Sequence, residues 1–387
     1  MDFRLGPRSE TFRKEVRAVI DEHLTPEVLR RSHETGTMHD WALHRAVAAR
    51  GWIGASWPPE QGGQGRDPVE LLPLVEEMEL AGWPFDGYKT TMAIASVVRE
   101  FATDYHWEHI LRPVMAGTIL LCLGYSEPDS GSDVAAARTT ATRDGDFWIV
   151  NGSKMWTTLA HESAYVFLLT RTDSSVAKHR GLTMFLVPLD AEGVEVRPIR
   201  TLGGERTNMT FYTSVRVADE LRVGEVNGGW EVMKVALALE RSGGGRGEGD
   251  MVLREAVAWL RTRRQGGGRA IQDRVVRDRV ARAAVRNEVA KLLGNQVAWM
   301  GATGAVPGVE GSMHKVFSSE NLVLTGSDLL DLLGSEGVLQ EDAPGSPTGG
   351  LVEHLHRHAA VTTIYAGTNE VQRSIIAERG LGLPRGR

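Results

Sequence analysis

Chemistry in this chain would have to come from four segments dense in Gly, Ser, Thr and Trp: GWIGASWPPEQGGQG, LGYSEPDSGSDVA, NGSKMWTT and IYAGTNEVQR. Hydroxyls and open backbone N–H groups beside glycines can hold a phosphate or a polar heterocycle, and Trp156 offers an aromatic wall. Read singly, each segment is more simply a turn, because Gly and Ser clusters mark loops far more often than ligand sites. A fifth feature is Glu240, which ends the apolar run VALAL and precedes Arg241. Desolvation there would raise its pKa toward the working range of a general base, whereas an ion pair with Arg241 or a nearby Arg is the structural alternative. Glu231, nine residues earlier, lies about half a turn round the same helix and faces elsewhere.

The elements that must position these groups fall into three zones. From Ser9 to about Ala116 the pattern is helical. Asp40 before WALHRAVAAR and Gly51 after it supply an acceptor at the start and positive φ at the end, and Asp67 with Pro68 predicts a helix running to about Leu80. From about Cys122 to Val226 the period becomes that of strands. Asp144-Gly145 predicts a hairpin, Asn151-Gly152 a further turn, and AYVFLLTRT, LTMFLVPL, VEVRPI and TFYTSVRV four more strands. From Trp230 helices return, the first apolar nearly all round and so expected to be buried. Further helices are expected over residues 273–300, 312–333 and 368–379, with a loop from Glu341 to Gly350. The fold expected is α+β and multidomain: an N-terminal α-helical domain (1–121), a central antiparallel β domain (122–228) and a C-terminal helical bundle (229–387).

That order argues against a doubly wound dinucleotide-binding sheet, and G-x-G-x-x-G, the Walker lysine loop and H-E-x-x-H are all missing from the sequence. The 387 residues carry 44 Lys+Arg against 50 Asp+Glu, a formal charge of -6, with 42% hydrophobic and 24% charged residues. This balance excludes a disordered chain and a globally basic nucleic-acid binder. Cys122 is the only cysteine, so neither an intramolecular disulfide nor a cysteine metal cluster is expected, and a cytoplasmic location is. The start MDFRLGPRSE lacks a signal peptide's basic and apolar regions, and no apolar run approaches the roughly 18 residues of a membrane span.

In their order and spacing the four segments resemble the acyl-CoA dehydrogenase family over nearly the whole chain. Trp57, Pro58, Glu60, Gly62, Gly63 and Gly65 are similar to the family's N-terminal signature. Ser126-Glu127-Pro128 with Gly131-Ser132-Asp133 resembles its first flavin-contacting motif, and Lys154-Met155-Trp156-Thr157-Thr158 the second. Gly367-Thr368 with Glu370, Gln372 and Arg373 resembles the C-terminal one. The resemblance implies bound FAD and α,β-dehydrogenation of an acyl thioester, carried by CoA or a carrier protein. A carboxylate would take the α-proton while the β-hydrogen leaves as hydride to flavin N5, with an electron-transfer flavoprotein as acceptor. It places Tyr125 and Ser126 beside the isoalloxazine, Ser132 near the pyrophosphate or substrate, Trp156 and Thr158 at the ring, and Thr368 and Glu370 toward FAD. Tyr365 and Arg241 fall on the substrate side.

Much of the family carries a Glu after the Tyr of the last motif, but Tyr365 is followed here by Ala366, so that side chain is no base. Some members place the base before an Arg on the helix opening the C-terminal domain, which makes Glu240 of Glu240-Arg241 the candidate. Ala366 keeps a backbone N–H that can hydrogen-bond the thioester carbonyl. The family's interface motifs survive only as LRTRRQGGGR and DLLGSEG, leaving Arg261, Arg263 or Arg264 for the FAD pyrophosphate without a choice among them. The surrounding arginine-rich stretch is a solvated face or a phosphate contact. A homodimer or homotetramer is expected, with a paralogous partner as a further possibility. Two other readings stand beside the first: a flavin monooxygenase of the same superfamily, and a base-poor subunit that mainly binds a partner.

Overall fold

A computed structural model describes residues 5–240, 247–265, 267–303, 305, 308–341 and 343–385, apart from the side chains of Glu240 and Gln265. The chain opens with α1 (Gly6–His23), α2 (Pro26–Thr35), α3 (Trp41–Ala49), α4 (Leu72–Leu80) and α5 (Asp86–Glu100). A short α6 (Asp104–His106) then runs through a π turn into α7 (Arg112–Met115). Local chemistry sets several of these ends. Thr25 and Asp40 accept the N–H groups of Val28 and Leu43, and Gly51 follows α3 at φ 66°. Asp67 behaves differently from expectation: its carboxylate accepts the Val69 N–H at 2.8 Å in a local turn, and the helix begins only at Leu72.

The central sheet holds β1 (Leu121–Gly124), β2 (Thr140–Asp144), β3 (Phe147–Lys154), β4 (Tyr165–Arg171), β5 (Leu182–Pro188), β6 (Val194–Arg200), β7 (Arg206–Ala218) and β8 (Arg222–Val223). The strand order is β6-β7-β3-β2-β4-β5-β8, with β1 pairing β4. The sheet is mixed rather than purely antiparallel: β1 runs parallel to β4, and β2 meets β4 in parallel at Thr140 and Arg171. Asp144 and Phe147 pair across the expected hairpin. Asn151-Gly152, expected as a turn, lies inside β3 instead. Val150 faces Val215 while Gly152 faces Tyr212, so β7 carries an extra residue there, a β-bulge with Ser214 at φ 50°. The Asn151 carboxamide oxygen accepts the Ser214 N–H at 2.8 Å. Gly152 takes φ 145° where a Cβ would lie 2.6 Å from the Thr139 hydroxyl.

Helices return with α8 (Gly229–Glu240) and α9 (Glu248–Thr262), followed by a two-residue hairpin, β9 (Arg264–Gln265) and β10 (Gly268–Arg269). The long helices α10 (Arg274–Ala302) and α11 (Glu310–Leu333) then pack with α12 (Leu351–Thr362) and α13 (Asn369–Ile375). Asp273 caps α10 by accepting from Val275 and Val276. One apolar cluster runs from the N-terminal helices into the sheet and takes in Val232, Met233 and Ala236 of α8. That helix buries one face only, since Glu231 and Lys234 pair in solvent at 2.5 Å. A second cluster of α9, α10, α11 and α12 residues forms the core of the bundle. Among the described residues no helix is long and apolar enough to cross a membrane.

Candidate active site

The first two motifs are held together by a buried ion pair. Lys154 is 0% exposed and Glu127 9%, and the ammonium reaches the carboxylate at 2.8 Å and the Tyr125 carbonyl at 3.1 Å. The same carboxylate accepts the N–H groups of Arg138 at 2.7 Å and Thr139 at 2.9 Å. Burial alone would raise the Glu127 pKa, but the ammonium and the two N–H groups outweigh it and hold the carboxyl below its ordinary value. Burial also brings Lys154 down to about 8, against the pull of Glu127. The Met155 N–H adds a bond to the Ser126 carbonyl at 2.9 Å. Tyr125 and Ser126 therefore sit against the strand end that delivers Trp156. Ser132 lies further out on the same loop, exposed, beside an Asp133–Lys178 pair at 2.6 Å.

Past Lys154 the chain turns sharply. Trp156 takes φ 63° and Leu159 φ 64°, left-handed values that cost a residue with a Cβ on the order of 1–3 kcal/mol and cluster at functional sites. The surrounding bonds enforce the turn: Asn208 exchanges backbone and side-chain bonds with Thr157 at 2.9 and 3.0 Å, and the Thr158 and Thr207 hydroxyls meet at 3.0 Å. The result is an indole 53% exposed, next to an exposed Thr158. A rigid turn that presents an uncovered aromatic face fits a planar heterocycle better than a core role.

The C-terminal motif is a second strained turn. Between α12 and α13, Ala366 takes φ 55° and Gly367 φ 78°. Gln372 Nε2 donates to the Ala366 carbonyl at 3.0 Å and its oxygen accepts the Ser312 hydroxyl at 2.7 Å. Thr368 caps α13 by accepting the Val371 N–H, and Asn369 takes bonds from Lys315 at 2.7 Å and Ser319 at 3.1 Å. Among the described residues the Ala366 N–H has no hydrogen-bond acceptor. Tyr365 is 53% exposed, and Glu370 is exposed on α13, its carboxyl lowered first by its own backbone N–H and then by the Thr368 hydroxyl.

Glu240 is the last residue of α8 and continues the row of Val232 and Ala236, both buried, whereas Glu231 lies on the solvent face. Its side chain, and the whole of Arg241 with the glycine run to residue 246, lie outside the described residues. Arg261 and Arg263 sit at the far end of α9; Arg263 pairs with Glu336 at 2.7 Å and lies 5.4 Å over the Trp259 ring. The expected positive field is partly neutralised within the chain, because Asp328 takes both Arg279 at 3.0 Å and Arg286 at 2.7 Å. Glu127, Lys154 and Gln372 stood in the motifs with no individual role, and Asn369 was not singled out. A lysine directly before the apolar pair Met155-Trp156 was the one available signal for the buried pair.

The chain belongs to the acyl-CoA dehydrogenase family: its N-terminal, middle and C-terminal domain profiles match residues 7–118, 122–215 and 227–381. It is similar to acyl-CoA dehydrogenase FadE26 of Mycobacterium tuberculosis, 36% identical with 98% of each chain covered. It is also similar to acyl-CoA dehydrogenase IpdE1 of the same species, 33% identical over 97% of this chain and 98% of that one. Among solved structures, the ChsE4-ChsE5 complex from M. tuberculosis matches with a TM-score of 0.91 at 34% identity, and the Tcur3481-Tcur3483 steroid ACAD with 0.91 at 32%, each covering 100% of both chains. Family members are FAD-dependent oxidoreductases that dehydrogenate acyl-CoA, and the exposed Trp156 with its neighbouring hydroxyls fits that cofactor.

Proposed function

We propose that this chain dehydrogenates an acyl thioester, with Glu240 removing the α-proton and the Ala366 N–H receiving the thioester carbonyl. The observation that carries the reading is the Ala366 turn, in which a left-handed backbone held by Gln372 leaves an N–H donor uncommitted beside an exposed Tyr365. Such a fixed donor stabilises charge developing on the carbonyl oxygen as the α-proton leaves. Glu240 follows the apolar run VALAL in the sequence, where desolvation would favour a basic carboxylate. Bound FAD supplies the acceptor for the hydrogen leaving the β-carbon. Tyr125, Ser126, Trp156 and Thr158 would hold it from the β domain and Thr368 and Glu370 from the bundle, with Arg261 or Arg263 reaching the pyrophosphate of a neighbouring subunit. Ser132, Arg241 and Tyr365 are assigned to the substrate side.

Two-component neighbours, one described as a steroid ACAD, support pairing with a paralogue and a bulky acyl group. An electron-transfer flavoprotein is the proposed acceptor, and the lone Cys122 supports a cytoplasmic setting. Anaerobic mixing with short, long and steroid-derived acyl-CoA, and with acyl carrier protein, tests the reading. Flavin bleaching by at least one thioester is expected. Product formation requiring O₂ and an external reductase would instead favour the monooxygenase.

A further inference from the structure

Away from the flavin motifs, the loop between β6 and β7 meets α12 through a compact group of metal-binding side chains. His354 and His358 are four residues apart, so one helix face carries both imidazoles. Glu205 faces them from the loop. His354 Nε2 lies 3.0 Å from Glu205 Oε1, and His358 Nδ1 lies 2.6 Å from the same oxygen. The three donor atoms all fall within 4.8 Å of one another. The His358 nitrogen is close to the carboxylate yet makes no aligned hydrogen bond with it.

The supporting contacts orient these groups before any ion arrives. The Thr201 hydroxyl donates to Glu205 Oε2 at 2.9 Å, which turns the other oxygen toward the helix. Arg357 is held by Glu353 at 2.6 Å and donates to the Leu202 carbonyl at 2.6 Å, so its charge is balanced while it pins the loop to α12. His33 of α2 is not one of these supports: it pairs with Glu341 at 2.6 Å, and its ring centroid lies 6.2 Å from that of His354, outside the donor set.

We infer that Glu205, His354 and His358 form a binding site for a divalent transition-metal ion of the zinc type. Two imidazoles and one carboxylate are a donor set that suits zinc with a fourth position left to water, and a hydroxyl bonded to the ligating carboxylate is the outer support such sites use. Ligation takes both imidazoles neutral, with His354 Nε2 and His358 Nδ1 free of protons, so any proton they carry is released to solvent as the ion binds. The ion would fasten the β domain to the helix that runs directly into the Tyr365–Gly367 turn, and so stiffen the approach to the Ala366 N–H.

The test uses tag-free, EDTA-treated protein with its FAD retained, dialysed to equilibrium against Zn²⁺, and then titrated with Co²⁺ while its visible absorption is followed. About one ion per chain is expected, with a rise in melting temperature. Glu205→Gln, His354→Gln and His358→Gln should each weaken binding by roughly tenfold or more, and Thr201→Val by about 10- to 100-fold, the range typical of outer-shell partners. His33→Gln should leave binding unchanged. Folded wild-type protein that takes up no Zn²⁺ would overturn the inference regardless of how the variants fold. So would binding that survives in folded His354→Gln and His358→Gln proteins, or that depends on His33 instead.

Discussion

Gln372 Nε2 donates to the Ala366 carbonyl at 3.0 Å, so a side chain of α13 holds in place a backbone turn that precedes its own helix. Ser312 fixes the other end of that carboxamide at 2.7 Å. Replacing Gln372 by Ala leaves both groups short of a partner, which typically costs about 1–3 kcal/mol. Urea denaturation should show a loss in this range, and flavin reduction by a competent thioester should slow because the Ala366 N–H is no longer fixed.

Glu240→Gln keeps the shape of the side chain but cannot accept a proton. Folding and FAD content should be retained while the rate of flavin reduction falls about 100- to 10,000-fold, the usual span for one positioned base. Reduction at the wild-type rate would remove Glu240 from the reaction.

Lys154→Met strands a buried carboxylate, and losing one partner of such a pair typically costs about 3–5 kcal/mol. The pH dependence has a definite sign. Glu127 has a lowered folded-state pKa, so its contribution is complete above the unfolded value of about 4.3 and is lost as the pH falls below it. Denaturation midpoints measured from pH 6 downward should therefore fall more steeply for the wild type than for Glu127→Gln.

Trp156 is half exposed, so Trp156→Ala, which keeps the Cβ and with it the strain of the left-handed turn, should change stability little in the FAD-free protein. Loss of an aromatic contact worth about 0.5–1.5 kcal/mol should weaken FAD binding by roughly 2- to 10-fold. Fluorescence titration of the deflavinated protein measures this, and an unchanged affinity would place the ring elsewhere.

Light scattering should give a dimer or tetramer, alone or with a paralogue. Val285 and Val289, one turn apart on α10, and Leu324 on α11 are exposed apolar side chains. An active monomer would contradict this.

Much of the architecture was determined by the sequence alone, because helix and strand signals are local. Asp40, Asp273 and Thr368 each bond an N–H two or three residues ahead, so a cap can be read without knowing the fold. The order of helices, strands and helices followed from periods of the same short range. Asp67 and Asn151 show where local chemistry was ambiguous: the same residue types serve a turn, a cap or a bulge, and the neighbouring strand or helix chooses. Only the tertiary structure decided the contacts that join distant segments. Lys154 finds Glu127 across 27 residues and His354 finds Glu205 across 149, separations at which no spacing rule operates. The left-handed Ala366 belongs to the same class, since nothing about alanine favours that conformation and only Gln372 and the packed ends of α12 and α13 hold it there.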